Sequence, residues 1–149
     1  MASNFREQRF AAKKKADKRK ENIRTEKSVE GDLPKVVFSF KDFDKSQIPP
    51  GQTFEDWQEK GCLAYLMEKL CHISELNMIE AKQQKYITLY DSFPKQSDFQ
   101  HPRHIAPDVS WAVIKKIKGQ KGRVAGHIID NVFYIVFLDF EHKFWKMDK

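Results

Sequence analysis

The sequence has few of the features that mark secreted, membrane-spanning or disulfide-bonded proteins. Only two of its 149 residues are cysteines. Cys62 and Cys71 would be separated by about 13 Å along a predicted helix, which is too far for a disulfide bond. No apolar run approaches the roughly 20 residues of a membrane span, and the first residues lack the apolar stretch of a secretory signal. We therefore expect a cytoplasmic protein with reduced thiols and no membrane partner.

The common cofactor and catalytic motifs are also missing. The chain contains no glycine-rich phosphate loop, no GxSxG nucleophile motif, no HExxH pair and no dinucleotide fingerprint. Cys71, His72, His101 and His104 are zinc-type ligands, but their spacing resembles no closed structural zinc site. We expect neither a metal ion nor a cofactor, and the sequence argues against ATP-dependent, dinucleotide-dependent and triad chemistry.

Basic residues are present in excess and are unevenly distributed. The formal net charge is +6. Residues 1–30 contain 10 Lys or Arg against 5 Asp or Glu, and residues 109–149 contain 8 against 4. Such surfaces favour a polyanionic partner. The alternative is that the basic N-terminal segment is only a solvated helix or an aid to solubility.

The charge and apolar patterns divide the chain into an arm and one body. Residues 1–31 lack a continuous apolar stripe and are predicted to form a basic arm, helical or disordered. The segment from Gly31 to Pro34 contains turn-forming residues and marks the predicted boundary. Residues 32–149 are predicted to form one domain. In that domain we expect a strand at 35–40, a helix at 54–72 that begins at Thr53, a second helix at 75–84 capped by Ser74, and a long loop at 91–108.

The strongest pattern is a three-stranded meander between residues 109 and 139. Apolar and polar residues alternate there at period two, as in a half-buried antiparallel sheet. Gly119–Gly122 and Asp130-Asn131 are predicted to form the two turns. The resulting α+β fold is a small antiparallel sheet in the order strand-helix-helix-strand-strand-strand. Its two helices pack on one face, and the opposite face stays available for a ligand.

This order resembles the RelE/ParE superfamily of bacterial toxins from toxin–antitoxin pairs. The local resemblance spans Gly122–Trp145, where an arginine opens a strand, an apolar hairpin follows, and a basic or histidine residue precedes an aromatic. Ile117-Lys118-Gly119 is also similar to the family. The resemblance implies a cognate antitoxin and either metal-independent mRNA cleavage, with or without the ribosome, or, in the ParE branch, gyrase inhibition without nuclease activity.

The resemblance and the basic pattern together define the candidate site. Arg123 matches the strand-initial arginine and is assigned a phosphate clamp, and His142 matches the basic or histidine position. The candidate catalytic residues are Arg123, His142, Lys115 and His127. The candidate RNA-binding residues are Lys116, Lys118, Lys121, Lys143, Trp145 and Lys146.

Each assignment has a structural alternative. Arg123 suits a surface salt bridge, and His127 suits a packed, hydrogen-bonded core position. The lysines around the first hairpin suit protection of an exposed sheet edge, and Trp145 suits the end of the core. Asp139 either orients His142 or ends its strand with a turn.

The leading hypothesis is a RelE-like endoribonuclease in which the 2′-OH attacks the adjacent phosphate. One alternative is a non-catalytic module of the same fold that inhibits a nucleic-acid machine or a protein partner. Another is an accessory protein that is tethered to nucleic acid by its basic arm.

Overall fold

The computed structural model describes residues 33–146, so the predicted basic arm at residues 1–31 lies outside the described residues. The described part is α+β, with three helices and one mixed sheet of five strands. The strand order in the sheet is β1-β5-β4-β3-β2. The elements, in chain order, are β1 (Val37–Ser39), α1 (Phe54–Glu59), α2 (Leu63–Ile73), α3 (Met78–Gln83), β2 (Ile87–Asp91), β3 (Ser110–Ile114), β4 (Arg123–Ile129) and β5 (Val132–Asp139).

The predicted meander is present as β3, β4 and β5, which pair antiparallel in chain order. The prediction that the whole sheet is antiparallel is wrong, because β1 pairs parallel to β5, with Val37 opposite Val132. The prediction of four strands is also wrong. The additional strand is β2, an edge strand antiparallel to β3.

The single helix predicted at 54–72 is two helices, because Gly61 adopts a left-handed conformation between them, with φ +70°. Residues other than glycine adopt this backbone conformation uncommonly, so glycine is favoured at position 61. The predicted start is confirmed: Thr53 Oγ1 accepts a hydrogen bond from the Asp56 N–H at 3.0 Å. The second predicted helix corresponds to α3, which begins after Asn77 and not after the predicted cap Ser74.

All three helices pack on one face of the sheet, as predicted, and enclose the larger of two apolar cores. This helix-side core brings Trp57 of α1 and Leu66 of α2 against β4 and β5. Full burial of an aliphatic or aromatic side chain of this kind stabilises the fold by about 1.5–3 kcal/mol. The buried members of the helix-side core are Val36, Trp57, Cys62, Leu66, Leu70, Ile73, Met78, Ala81, Ile87, Ala112, Ile114, Ile117, Val124, Phe133, Ile135 and Leu138.

The opposite face of the sheet is covered over much of its area, which contradicts the prediction that it stays free. A second core, the loop-side core, forms where the 92–109 loop and the segment after β5 pack onto this face. Phe99 of the loop lies with its ring centroid 4.2 Å from that of Phe137. The buried members of the loop-side core are Phe99, Ile105, Trp111, Val113, Ala125, Val136, Phe137 and Phe144.

Candidate nucleic-acid site

The segment after β5 is folded back onto the sheet by a buried carboxylate. Asp139 is fully buried, and its two oxygens accept hydrogen bonds from the backbone N–H groups of Lys143 at 2.8 Å and Phe144 at 2.9 Å. This reversal inserts Phe144 into the loop-side core. Asp139 therefore ends its strand with a turn, the second of the two roles that the sequence left open.

His142 lies inside this turn with φ +60°. Non-glycine residues adopt this left-handed conformation uncommonly, and asparagine, aspartate and histidine are the residues enriched in it. The side chain is half-buried, so the turn holds the imidazole at the protein surface. A rare backbone conformation that the surrounding structure enforces is a frequent property of functional residues.

Cationic side chains converge on His142 from two strand ends and one turn. Burial lowers the pKa of His142 below its ordinary value of 6.5, and the positive charges of Arg123, Lys115 and Lys121 lower it further, while Asp139 acts in the opposite direction. The imidazole is therefore mostly neutral at neutral pH and able to accept a proton. Arg123 is half-buried and stands opposite Asp139 in the β4–β5 register.

An aromatic stack adjoins this cationic group. The Trp145 ring lies flat on Tyr90 of β2, with centroids 4.2 Å apart and planes inclined by 6°. Nζ of Lys115 lies 5.6 Å from the centroid of the Tyr90 ring. Trp145 also lines a cavity of about 360 Å³ that Phe93 and Lys146 help to form.

His127 does not belong to this group, although it shares a strand face with Arg123. It is only 2% exposed, and its Nε2 lies 2.9 Å from Oδ2 of Asp42. Its ring stacks on Tyr134 at 4.6 Å. Burial lowers its pKa despite the neighbouring Asp42 carboxylate. It lies four residue steps, or about 13 Å, along β4 from Arg123, so the structure supports the core alternative for His127.

Three of the candidate RNA-binding lysines are engaged by other groups of the protein. Lys118 donates a hydrogen bond from its ammonium to the carbonyl of Lys60 at the end of α1, at 2.8 Å. Lys143 and Lys146 both pair with Asp98 of the long loop, at 3.8 and 2.5 Å. These three side chains therefore stabilise the fold around the site before any ligand binds.

The two remaining lysines of the candidate set are exposed. Lys121 follows the turn between β3 and β4, with Nζ 5.9 Å from the centroid of the Phe140 ring. The positive charge of Lys121 lowers the pKa of His142. Lys116 lies just beyond β3 with φ +56° and is not among the charges that act on His142.

Sequence reasoning missed Tyr90 and Asp98. Tyr90 lies 55 residues before its stacking partner Trp145 in the chain, and Asp98 is one of several polar residues in a loop without periodicity. A tyrosine with apolar neighbours in a short strand is typical of a core residue. No local pattern therefore distinguished either side chain from its neighbours.

No family model, curated protein or solved structure matches this chain. Between residues 33 and 146, no three His, Cys, Asp or Glu side chains are grouped closely enough to hold a metal ion. Within the same range, none of the helices has the length and apolar character that crossing a membrane requires.

Proposed function

We propose that this protein is a RelE-like toxin that cleaves RNA without a metal ion, at a site formed by His142, Arg123 and Lys115. The observation that supports this proposal is the grouping of three cationic side chains around a half-buried histidine whose pKa is lowered by burial and by those charges. RNA supplies the polyanion that such a group attracts.

In the proposed reaction, neutral His142 takes the proton of a ribose 2′-OH, and the 2′-oxygen attacks the adjacent phosphorus. The P–O5′ bond breaks, and the leaving 5′-oxygen receives a proton from the ammonium group of Lys115. The products are a 2′,3′-cyclic phosphate and a 5′-hydroxyl end. The planar guanidinium of Arg123 stabilises the charge that develops on the two non-bridging phosphoryl oxygens.

Trp145 has a different role from a proton-transferring tyrosine, because an indole has no acidic hydroxyl group. Stacked on Tyr90 and bordering the 360 Å³ cavity, it offers a platform for the base next to the cleaved linkage. Stacking on an aromatic side chain contributes about 1–3 kcal/mol per base and tolerates any sequence. An antitoxin that neutralises the protein would have to cover this platform or the cationic group.

Cleavage is tested with purified protein and an end-labelled single-stranded RNA, by sequencing gels and by analysis of the new ends. Arg123→Ala and His142→Asn are each expected to lower the cleavage rate by about 10²–10⁴-fold. Asparagine is chosen because it tolerates the left-handed backbone at this position. Lys45→Gln, which neutralises an exposed lysine outside the site, is the control and should cut at the wild-type rate.

The pH profile provides an independent test of the role of His142. A base with a lowered pKa is neutral above that pKa, so the rate should stay level through neutrality and fall only as the pH decreases through the lowered pKa, which lies below 6.5. RNA that is bound tightly by the wild type but never cut would contradict the proposal. That outcome would favour the non-catalytic binding module instead.

A further inference from the structure

A second cationic surface lies at the β2 edge of the sheet and shares only Lys115 with the group around His142. It is a groove of about 390 Å³ between α2, the α3–β2 turn and the end of β3. The residues that line it are Lys69, Gln84, Lys85, Tyr86, Thr88, Lys115 and Lys116. Four of these seven residues are lysines, and none is an aspartate or glutamate.

The charge of this groove is not compensated by the part of the chain that the structure describes. None of the four lysines forms an ion pair within residues 33–146. This distinguishes them from Lys143 and Lys146, which are paired with Asp98. Four like charges around one concave surface repel one another, and an anionic ligand relieves that repulsion.

The backbone at the groove is also unusual. Lys85 and Lys116 have φ values of +64° and +56°, a conformation in which lysine is uncommon. Both side chains are exposed, so no apolar packing explains why lysine occupies these two turns. Asparagine or glycine would fit this backbone better, so the positive charge is the notable property of each position.

Lys115 connects the groove to the proposed cleavage site. It lines the groove, its ammonium lies 5.6 Å from the centroid of the Tyr90 ring, and its charge acts on His142. A ligand that fills the groove therefore adjoins both the cationic group and the aromatic stack. A single strand of nucleic acid has this form, because its phosphates are linked and its unpaired bases are free to stack.

We propose that this lysine groove binds phosphates of a single-stranded RNA on the strand that flanks the cleaved linkage. The proposal rests on the proposed function for the identity of the strand. It adds Lys69 and Lys85, beside the candidate Lys116, as residues that position the strand and do not take part in the chemistry. RNA segments that reach the groove should bind more tightly than a dinucleotide, which occupies only the cleavage position.

The test uses the double variant Lys69→Gln/Lys85→Asn, which removes two groove charges outside the cleavage site. Glutamine suits the helix at position 69, and asparagine suits the left-handed backbone at position 85. Lys45→Gln/Lys82→Gln is the matched control, because it removes two exposed charges that do not line the groove. The binding probe is a fluorescent single-stranded 2′-deoxy oligonucleotide of about eight nucleotides, which lacks the nucleophile. Binding is measured by anisotropy over a range of salt concentrations, and cleavage is measured separately on a diribonucleotide.

The groove variant is expected to bind the oligonucleotide several-fold more weakly than the control variant does. The slope of log affinity against log salt should decrease in magnitude by about 1.4, which corresponds to two lost phosphate contacts on a single strand. Cleavage of the diribonucleotide should be unchanged. Equal affinities and salt slopes for the groove and control variants would overturn the groove proposal, even where the wild type cuts RNA.

The experiment separates the groove proposal from the proposed function. A wild type that binds the oligonucleotide through the groove but cuts no RNA would overturn only the proposed cleavage. Polyglutamate of matched charge number tests the competing class of partner, an acidic polypeptide. If polyglutamate binds as tightly as the oligonucleotide and loses as much affinity in the groove variant, the assignment to RNA is overturned.

Discussion

The loop-side face of the sheet has two ends, and a histidine stands near each of them in opposite surroundings. At the closed end, His127 is sealed beneath Asp42 and Tyr134 and is 2% exposed. At the open end, His142 stays half-buried among cationic side chains. Burial lowers the pKa of both imidazoles, so a lowered pKa alone does not identify a functional histidine.

What separates the two ends is the identity of the neighbours. The closed end pairs its histidine with a carboxylate and an aromatic ring: Nε2 is hydrogen-bonded to Asp42 and the imidazole stacks on Tyr134, while the buried Nδ1 has no hydrogen-bond partner among the described residues. The open end surrounds its histidine with like charge, which raises the energy of the protonated form and leaves the surface ready for an anion. We expect substitutions at the closed end to alter stability and substitutions at the open end to alter RNA binding and cleavage.

The largest effect is expected from Gly126→Ala, next to His127. A β-carbon there would lie 2.0 Å from the carbonyl oxygen of Tyr134 and 2.7 Å from the Phe133 ring. Neither group can move without disrupting the β4–β5 pair, so the free energy of unfolding should fall by about 3 kcal/mol or more. Urea denaturation provides the measurement.

Gly119→Ala is the matched control for this substitution. Gly119 has φ +60°, but a β-carbon there would meet nothing within 4 Å, so only backbone strain of about 1 kcal/mol is expected. Equal losses in the two variants would show that the close approach of β4 and β5 at Gly126 does not determine the stability of the closed end.

A smaller effect is expected at Asp139, which joins the two ends by folding the final segment onto the sheet. Asp139→Ala leaves the buried N–H of Phe144 and the N–H of Lys143 without their acceptor, which should cost about 2 kcal/mol of stability. Cleavage should be lost as well, because His142 lies in the released turn.

Asp139→Asn retains one carbonyl oxygen as an acceptor and removes the carboxyl group, whose pKa is raised by burial. Its loss of stability should therefore be smaller, about 1 kcal/mol. Thermal unfolding and the cleavage assay are run on the same preparations. If Asp139→Ala abolished cleavage without any loss of stability, Asp139 would act on the reaction directly and not through the fold.

The smallest effect concerns pH. The lowered pKa of His127 means that the unfolded chain binds a proton more readily than the folded protein does below pH 6.5. Stability should therefore be full above pH 6.5 and decrease as the pH falls through the lowered pKa. Lys41 and His101 add to this destabilisation, and Asp42 opposes it.

His127→Phe retains a ring against Tyr134 and removes the titration. Denaturation midpoints between pH 7 and pH 5 should depend less on pH in this variant than in the wild type. His142→Asn should have the weaker influence on this slope, because His142 is more exposed. If His142→Asn reduced the pH dependence of the denaturation midpoint more than His127→Phe does, the assignment of the two ends would be reversed.

The sequence predicted the elements whose pattern is local. Strands β3 to β5 follow from alternation and from turn residues such as Asp130-Asn131, and the start of α1 follows from Thr53 and Asp56. The parallel partner of β1 was not predictable in this way, because Val37 meets Val132 across 95 residues. The loop-side core was missed for a related reason, since the apolar residues of the loop that forms it follow no regular spacing.

The candidate site was predicted only in part for the same physical reason. Basic residues at strand ends indicated Arg123, Lys115 and His142, which the structure does bring together. The difference between His142 and His127 depends on Asp42, which is 85 residues from His127. The ion pair between Lys143 and Asp98 likewise depends on a distant loop, and no pattern within the meander indicates it.

The parallel pair between β1 and β5 has a consequence for the order of events during synthesis. β1 is among the first described segments to be made, but its partner β5 is completed about 100 residues later, and contacts so distant in sequence form late in folding. The turn that holds His142 follows β5 directly. A nascent chain whose residues from β5 to His142 are still inside the ribosomal exit tunnel therefore has neither a closed sheet nor a complete cationic group.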